Sequence, residues 1–176
     1  PVCVLSHNPK ATRLTHHVGA VYVFNPFSFL PVMRRTKLYI SGGGSLIQNQ
    51  TSTRSLNYYL LSIRLAKLTG NRVQMYRCGI GPVGGEGCRK SAARVIDRNV
   101  DAITLRGDLS AEELKTMGVT KPKVYVTADP ALLLEAGSEG AVDGFLLGNK
   151  LDPAGRYALF VLREWQGFAA KKQAFV

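Results

Sequence analysis

Arg106 ends the string DAITLR, directly after a short apolar run and just before the helix-spaced GDLSAEEL. An arginine at the carboxyl end of a strand aims a planar, permanently charged fork into the cleft beyond the sheet, which suits a carboxylate or a phosphate. The competing use of the same side chain is a local ion pair with Asp101 or Asp108. Three more groups stand at comparable places. Gly42-Gly43-Gly44-Ser45 closes an apolar run at 37–41, Gly79-Ile80-Gly81-Pro82 closes one at 72–76, and Asp129-Pro130 follows one at 124–127. Glycines there serve either tight turning or close approach of a ligand to the backbone. Thr51, Ser52 and Thr53 precede a long helical pattern. They are suited to capping it, or to flanking an anion drawn by free N–H groups and the helix dipole. Asp129 before a proline is also a frequent turn former. No residue can be assigned as catalytic acid or base.

Several chemistries are disfavoured. The triple glycine lacks the Lys-Ser/Thr of a phosphate-binding P-loop and the third glycine of the dinucleotide fingerprint. No G-x-S-x-G elbow is present, and Ser45 has no assignable histidine partner. His16 and His17 are adjacent and point apart on regular structure, and with His7 they have no cysteine or carboxylate at ligand spacing. No metal and no bound cofactor is therefore expected. The chain carries 23 Lys and Arg against 12 Asp and Glu, a net charge of +11. Such an excess favours nucleic acid, anionic headgroups or phosphorylated small molecules. Nucleic acid is disfavoured because no element interleaves basic residues with aromatics. Three cysteines form no C-x-x-C pair, as suits a reducing cytoplasm. No apolar run approaches the roughly 20 residues of a spanning helix.

The elements that must position these groups alternate. Strands are expected at 2–5, 18–24, 37–41, 72–76, 101–105 and 124–127, and helices at 27–35, 54–68, 89–98 and 110–117. In the last helix Ser110 and Glu113 have the spacing of a capping box. Strands separated by helices predict an α/β, Rossmann-like domain, with five or more parallel strands in one sheet and helices on both faces. Residues 1–136 are expected to form this domain, without its first strand-loop-helix. Residues 137–155 read as a linker, and 156–176 as the start of a second domain. The chain opens inside a strand pattern and closes inside a helical one, the expectation for part of a longer protein.

The strings SGGGSLIQNQTSTRSLNYYL, MYRCGIGPV, DAITLRGDLSAEEL and VTADPALLL, in this order and spacing, resemble the polysaccharide pyruvyl transferases, in particular the bacterial cell-wall branch (the CsaB type). The likeness extends from about Val2 to Trp165, including VLREW, which resembles the opening strand of that family's second domain. It implies a GT-B-type fold of two Rossmann-like halves. It also implies phosphoenolpyruvate as donor and a lipid-linked or polymeric sugar as acceptor, in that branch an N-acetylmannosamine unit. Arg106 falls where the family places a donor-binding arginine. A histidine and a lysine of the family's donor site lie in the second domain, so this chain alone is expected to be inactive. Two positions depart from the family: Asn49 stands where an aspartate is usual, and Val23 where a basic residue is common. A basic surface would also suit peripheral contact with an anionic membrane. The alternatives are a GT-B-type glycosyltransferase and a non-catalytic anion-binding α/β module.

Overall fold

The computed structural model describes residues 1–158. The expected start of a second domain at 156–176, with VLREW and the final helical pattern, falls largely outside them. Six strands alternate with helices: β1 Cys3–Ser6, α1 Pro9–His16, β2 Gly19–Tyr22, α2 Pro26–Arg35, β3 Leu38–Gly42, α3 Thr53–Leu68, β4 Arg72–Cys78, α4 Glu86–Asn99, β5 Ala102–Leu105, α5 Asp108–Thr116, β6 Lys123–Val126 and α6 Glu139–Gly148. The chain divides into two compact units, Pro1–Leu133 and Leu134–Val176. In the second, α6 occupies part of the stretch expected as a linker, with Ser138 accepting from the N–H of Ala141 to cap it. No helix among the described residues is long and apolar enough to cross a membrane.

Every strand pair in the first unit is parallel, as the alternation demands. The expected single sheet is instead two: β1-β2, and β3-β4-β5-β6 in sequential order.

Register fixes the faces of the four-stranded sheet. Tyr39 pairs with Val73, Ser41 with Met75, Met75 with Ile103 and Cys78 with Leu105, so these side chains share one face. Leu56, Leu60 and Ile63 of α3, Val95 and Ile96 of α4 and Leu114 of α5 join them in one buried cluster. Full burial of each large aliphatic contributes about 1.5–3 kcal/mol. The opposite face carries Leu38, Ile40, Tyr76 and Tyr125, all exposed, so the expected helical cover is met on one face among the described residues.

Local signals explain the elements. In α3 the apolar positions 56, 60 and 63 repeat at four and three residues, Ser52 caps the start, and Gly70 at φ +87 takes the chain out. Helix α1 escapes periodicity because it buries no side chain. Its signal is Asn8-Pro9 alone: the Asn8 carboxamide accepts from the N–H of Ala11, and Pro9 opens the helix. Buried Asn71 ties α2 to β4. Its Nδ2 donates to the carbonyl of Met33 at 2.7 Å, and its Oδ1 accepts from the Thr36 hydroxyl at 2.7 Å.

Asp101 joins α3 to the sheet by accepting from Lys67 Nζ and from the N–H of Val73, both at 2.7 Å. Partial burial pushes its carboxyl up, but these two bonds outweigh that and hold it below the ordinary carboxylate range. A lowered folded value means stability that is full above the unfolded pKa, about 3.9, and is lost as pH falls through the folded value. We expect Asp101→Asn to cost about 1 kcal/mol at neutral pH and to flatten the acid limb of the stability curve, measured by denaturant unfolding between pH 2 and 7.

Candidate functional site

Two glycine loops leave the carboxyl ends of adjacent strands β3 and β4, and they are laced together. The N–H of Gly43 donates to Tyr76 O at 3.1 Å, that of Gly79 to Gly44 O at 2.9 Å and that of Gly81 to Ile47 O at 2.7 Å. Ile47 and Ile80 pair as an isolated parallel bridge. The sheet's hydrogen bonding thus continues past its strands. Gly43, Gly44 and Gly81 stand at φ +75, +68 and +76, values that favour glycine. Asn49 extends the lacing: its Nδ2 donates to Gly84 O at 2.8 Å and its Oδ1 accepts from Gly84 N at 2.7 Å. An aspartate could make only the second bond, so the departure at Asn49 fits a clamp on Gly84.

Beyond the loops lies an open cleft of about 710 Å³, lined by Ser45, residues 79–82, Arg106 and the start of α5 through Ser110, with Glu113. Arg106 stands at its rim. Its Nη1 donates to Asp129 Oδ2 at 3.0 Å and its Nη2 to Ser45 Oγ at 3.2 Å, so three of the strand-end groups meet in one contact. Gly79 leaves room for it: a Cβ there would stand 2.6 Å from Ser45 Oγ and 3.4 Å from Arg106 Nη2. Neither local carboxylate takes the arginine. Asp101 is bonded to Lys67 and Val73, and Asp108 makes no ion pair among the described residues. Asp129 also behaves as the turn former foreseen, accepting from Ala131 N at 3.0 Å. That bond first, against slight desolvation, and then the Arg106 fork hold its carboxyl below the ordinary range, so it is a carboxylate at neutral pH.

The capping box at Ser110 and Glu113 is not formed. Helix α5 starts two residues earlier, at Asp108, and Gly107 at its N-cap makes no side-chain cap. Ser110 instead accepts from the N–H of Ile80 at 3.0 Å. Glu113 accepts from that of Val83 at 3.3 Å and pairs with Arg89 at 2.5 Å. Burial pushes the Glu113 carboxyl up, but Arg89 and Val83 N–H prevail and hold it low. Two residues that look like a cap therefore brace the second glycine loop. The first N–H groups of α5 are left without a side-chain partner at the cleft, where a helix end favours an anion.

The structure thus gathers Ser45, Gly79, Gly81, Arg106 and Asp129. Gly42 is the last residue of β3, Gly43 and Gly44 form its turn, and Asn49 is the clamp. Thr51 bonds the Gln48 carboxamide, and Ser52 accepts from Arg54 N as the cap of α3; none of these six lines the cleft. Val23 is buried, so its side chain offers nothing to a ligand. Sequence reasoning missed Asp108, Ser110 and Glu113 as parts of the site's wall, and Arg89 as the partner that holds Glu113; the strand–Arg–Gly–helix spacing was the available signal. Among the described residues no three His, Cys, Asp or Glu side chains could hold a metal ion.

A family model, polysaccharide pyruvyl transferase, matches residues 2–174. The chain belongs to the polysaccharide pyruvyl transferase family. Comparison with curated proteins and with solved structures returned no match. The family is one of transferases that act on polysaccharide. For such a transferase Gly79 is diagnostic. Gly79→Ala must displace Ser45 Oγ and with it one hold on Arg106. We expect transfer to fall by about 10-fold or more while stability changes by no more than about 1 kcal/mol, read by kinetics beside thermal unfolding.

Proposed function

We propose that the protein transfers pyruvate from phosphoenolpyruvate to a sugar of a cell-wall or exopolysaccharide precursor, forming a ketal. The observation that carries this reading is the Arg106 fork, held by Asp129 and Ser45 at the rim of a cleft into which an uncapped helix start opens. Phosphoenolpyruvate brings a carboxylate and a phosphate. A guanidinium and a set of free N–H groups are the donors that such a pair needs.

In the reaction two sugar hydroxyl oxygens bond to C2 of the donor, the C2–O bond to phosphate breaks, and the methylene becomes a methyl group. One hydroxyl proton ends on that methyl and the other on the departing phosphate. Charge builds on the phosphate as its bond breaks, and fixed cationic donors stabilise it there without reorganising. Arg106 and the start of α5 supply that part. Asp129, ionised at neutral pH, orients the arginine. The reading includes a second Rossmann-like half of GT-B type, bringing further donor ligands, so the 176-residue chain alone forms no ketal product. It also includes a cytoplasmic setting, in which the net charge of +11 favours contact with an anionic membrane bearing a lipid-linked acceptor.

The test is Arg106→Lys in the protein expressed from its complete reading frame. Lysine keeps the charge and loses the planar fork. A charge-assisted hydrogen bond is worth roughly 1.5–3 kcal/mol, so turnover or donor affinity should fall about 10- to 150-fold with the fold intact. Arg106→Ala should cost more. If the arginine only pairs with Asp129 at the surface, either change costs at most about 1 kcal/mol of stability and nothing in catalysis. Near wild-type kinetics in phosphoenolpyruvate for both variants would remove Arg106 from the site.

A further inference from the structure

A second constellation stands at strand carboxyl ends, at β1 and β2, and the donor chemistry does not use it. Phe24, just past β2, meets three rings edge to face: His7, just past β1, at 4.9 Å between centroids, Tyr58 of α3 at 5.7 Å and Tyr22 at 6.0 Å. Tyr58 is the fixed member. Its hydroxyl donates to Val23 O at 3.1 Å, its ring packs on Tyr59 at 5.4 Å, and burial pushes its hydroxyl up to about 12, so it stays a donor. Phe24 is nevertheless 57% exposed and Tyr22 44%. Core packing does not account for a phenylalanine pinned by three aromatic neighbours and left open to solvent.

The segment that carries Tyr22 and Phe24 is uncharged in a strongly basic chain. Between Arg13 and Arg34 there is no Lys, Arg, Asp or Glu, against a net charge of +11 overall. An anionic ligand, whether phosphate, nucleic acid or acidic lipid, would find no counter-charge on the segment that carries Tyr22 and Phe24. What the patch offers is an exposed aromatic ring with polar neighbours, the imidazole of His7 and the hydroxyl of Tyr22. A pyranose matches both parts, with C–H groups on one face for the ring and hydroxyls around its edge. The location also fits. Helices in parallel α/β units begin at the carboxyl edge of the sheet. Tyr58 lies in the second turn of α3, whose preceding loop is the one laced to Gly79 and Gly81.

We propose that Phe24, with Tyr22 and His7, is the stacking platform for a pyranose ring of the acceptor. Its place in the reaction rests on the pyruvyl-transfer reading above, but its binding of sugar does not. The test uses the protein from its complete reading frame and two probes, methyl β-D-glucopyranoside and methyl N-acetyl-β-D-glucosaminide, observed by saturation-transfer difference NMR. Transfer from aromatic protein resonances to the pyranose C–H protons is expected. It should fall at least about 5-fold in Phe24→Leu and in Tyr22→Leu, with unchanged thermal unfolding and unchanged phosphoenolpyruvate affinity. Phe27→Leu is the control, since Phe27 is 89% exposed and outside the ring cluster; it should have no effect. Absence of transfer to both probes, equal losses in Phe24→Leu and Phe27→Leu, or transfer untouched by Phe24→Leu would overturn the proposal. So would Phe24-dependent partition onto phosphatidylcholine vesicles, or Phe24-dependent self-association, in a protein that binds neither sugar. If the pyranosides bind through Phe24 but phosphoenolpyruvate does not bind at all, the donor reading fails and the platform stands.

Discussion

The site depends on one constraint: backbone groups that leave a sheet and turn beneath a cleft still need hydrogen-bond partners. At the ends of β3 and β4 the chain meets it by pairing two irregular loops with each other. Gly79 N–H to Gly44 O, Gly81 N–H to Ile47 O and the Asn49 clamp on Gly84 carry the ladder beyond the strands. Only residues tolerating positive φ can follow such a path at Gly43, Gly44 and Gly81. Holding both loops in register sets Ser45 beside Gly79, and Ser45 is one of the two points that hold Arg106. Glycine here acts on the arginine through the serine beside it.

The same constraint decides what α5 does. Ser110 and Glu113 could have capped their own helix, but both serve Ile80 and Val83, whose N–H groups have no strand to donate to. A capping bond and a loop-bracing bond are of similar strength, about 1 kcal/mol each. What tips the choice is burial: Val83 is nearly inaccessible and Ile80 is buried, while a helix start at a cleft has water or a ligand available. The loop is stabilised from the far side, and the helix start is left open where an anion would lie.

How much of this was legible in the sequence follows from the range of the interactions. Strand and helix identities rest on local periodicity and end signals, so α3 and β3 to β6 were readable, and the four strand-end groups fell at one sheet edge as their spacing required. Helix α1 was not readable, because a helix with no buried side chain has no apolar stripe. Nor was the split into two sheets, since strand count says nothing of which edges find partners. The partner of Arg106 lies 23 residues away at Asp129 rather than at Asp101 or Asp108, and that of Ser110 30 residues back. A local pattern cannot choose between a near and a distant partner of equal chemistry. The four strings at strand ends carried more, because between them they hold both members of the contacts Arg106–Asp129, Arg106–Ser45 and Ile80–Ser110.

One tension remains in the geometry: an arginine offered to a donor already holds a carboxylate. Both partners of the Arg106–Asp129 pair are about one-third exposed, with side-chain accessibilities of 34% and 39%. A pair so placed is screened by water and worth at most about 1 kcal/mol. It therefore sets no high barrier to a dianionic ligand that brings more charge and displaces the water. The fork also has more N–H groups than its two described bonds employ. Asp129 need not leave for a ligand to arrive, and by staying it keeps the guanidinium plane fixed before binding. An unpaired arginine would have to lose rotamer freedom at the moment of binding, a cost of about 2 kcal/mol that the existing pair has already removed.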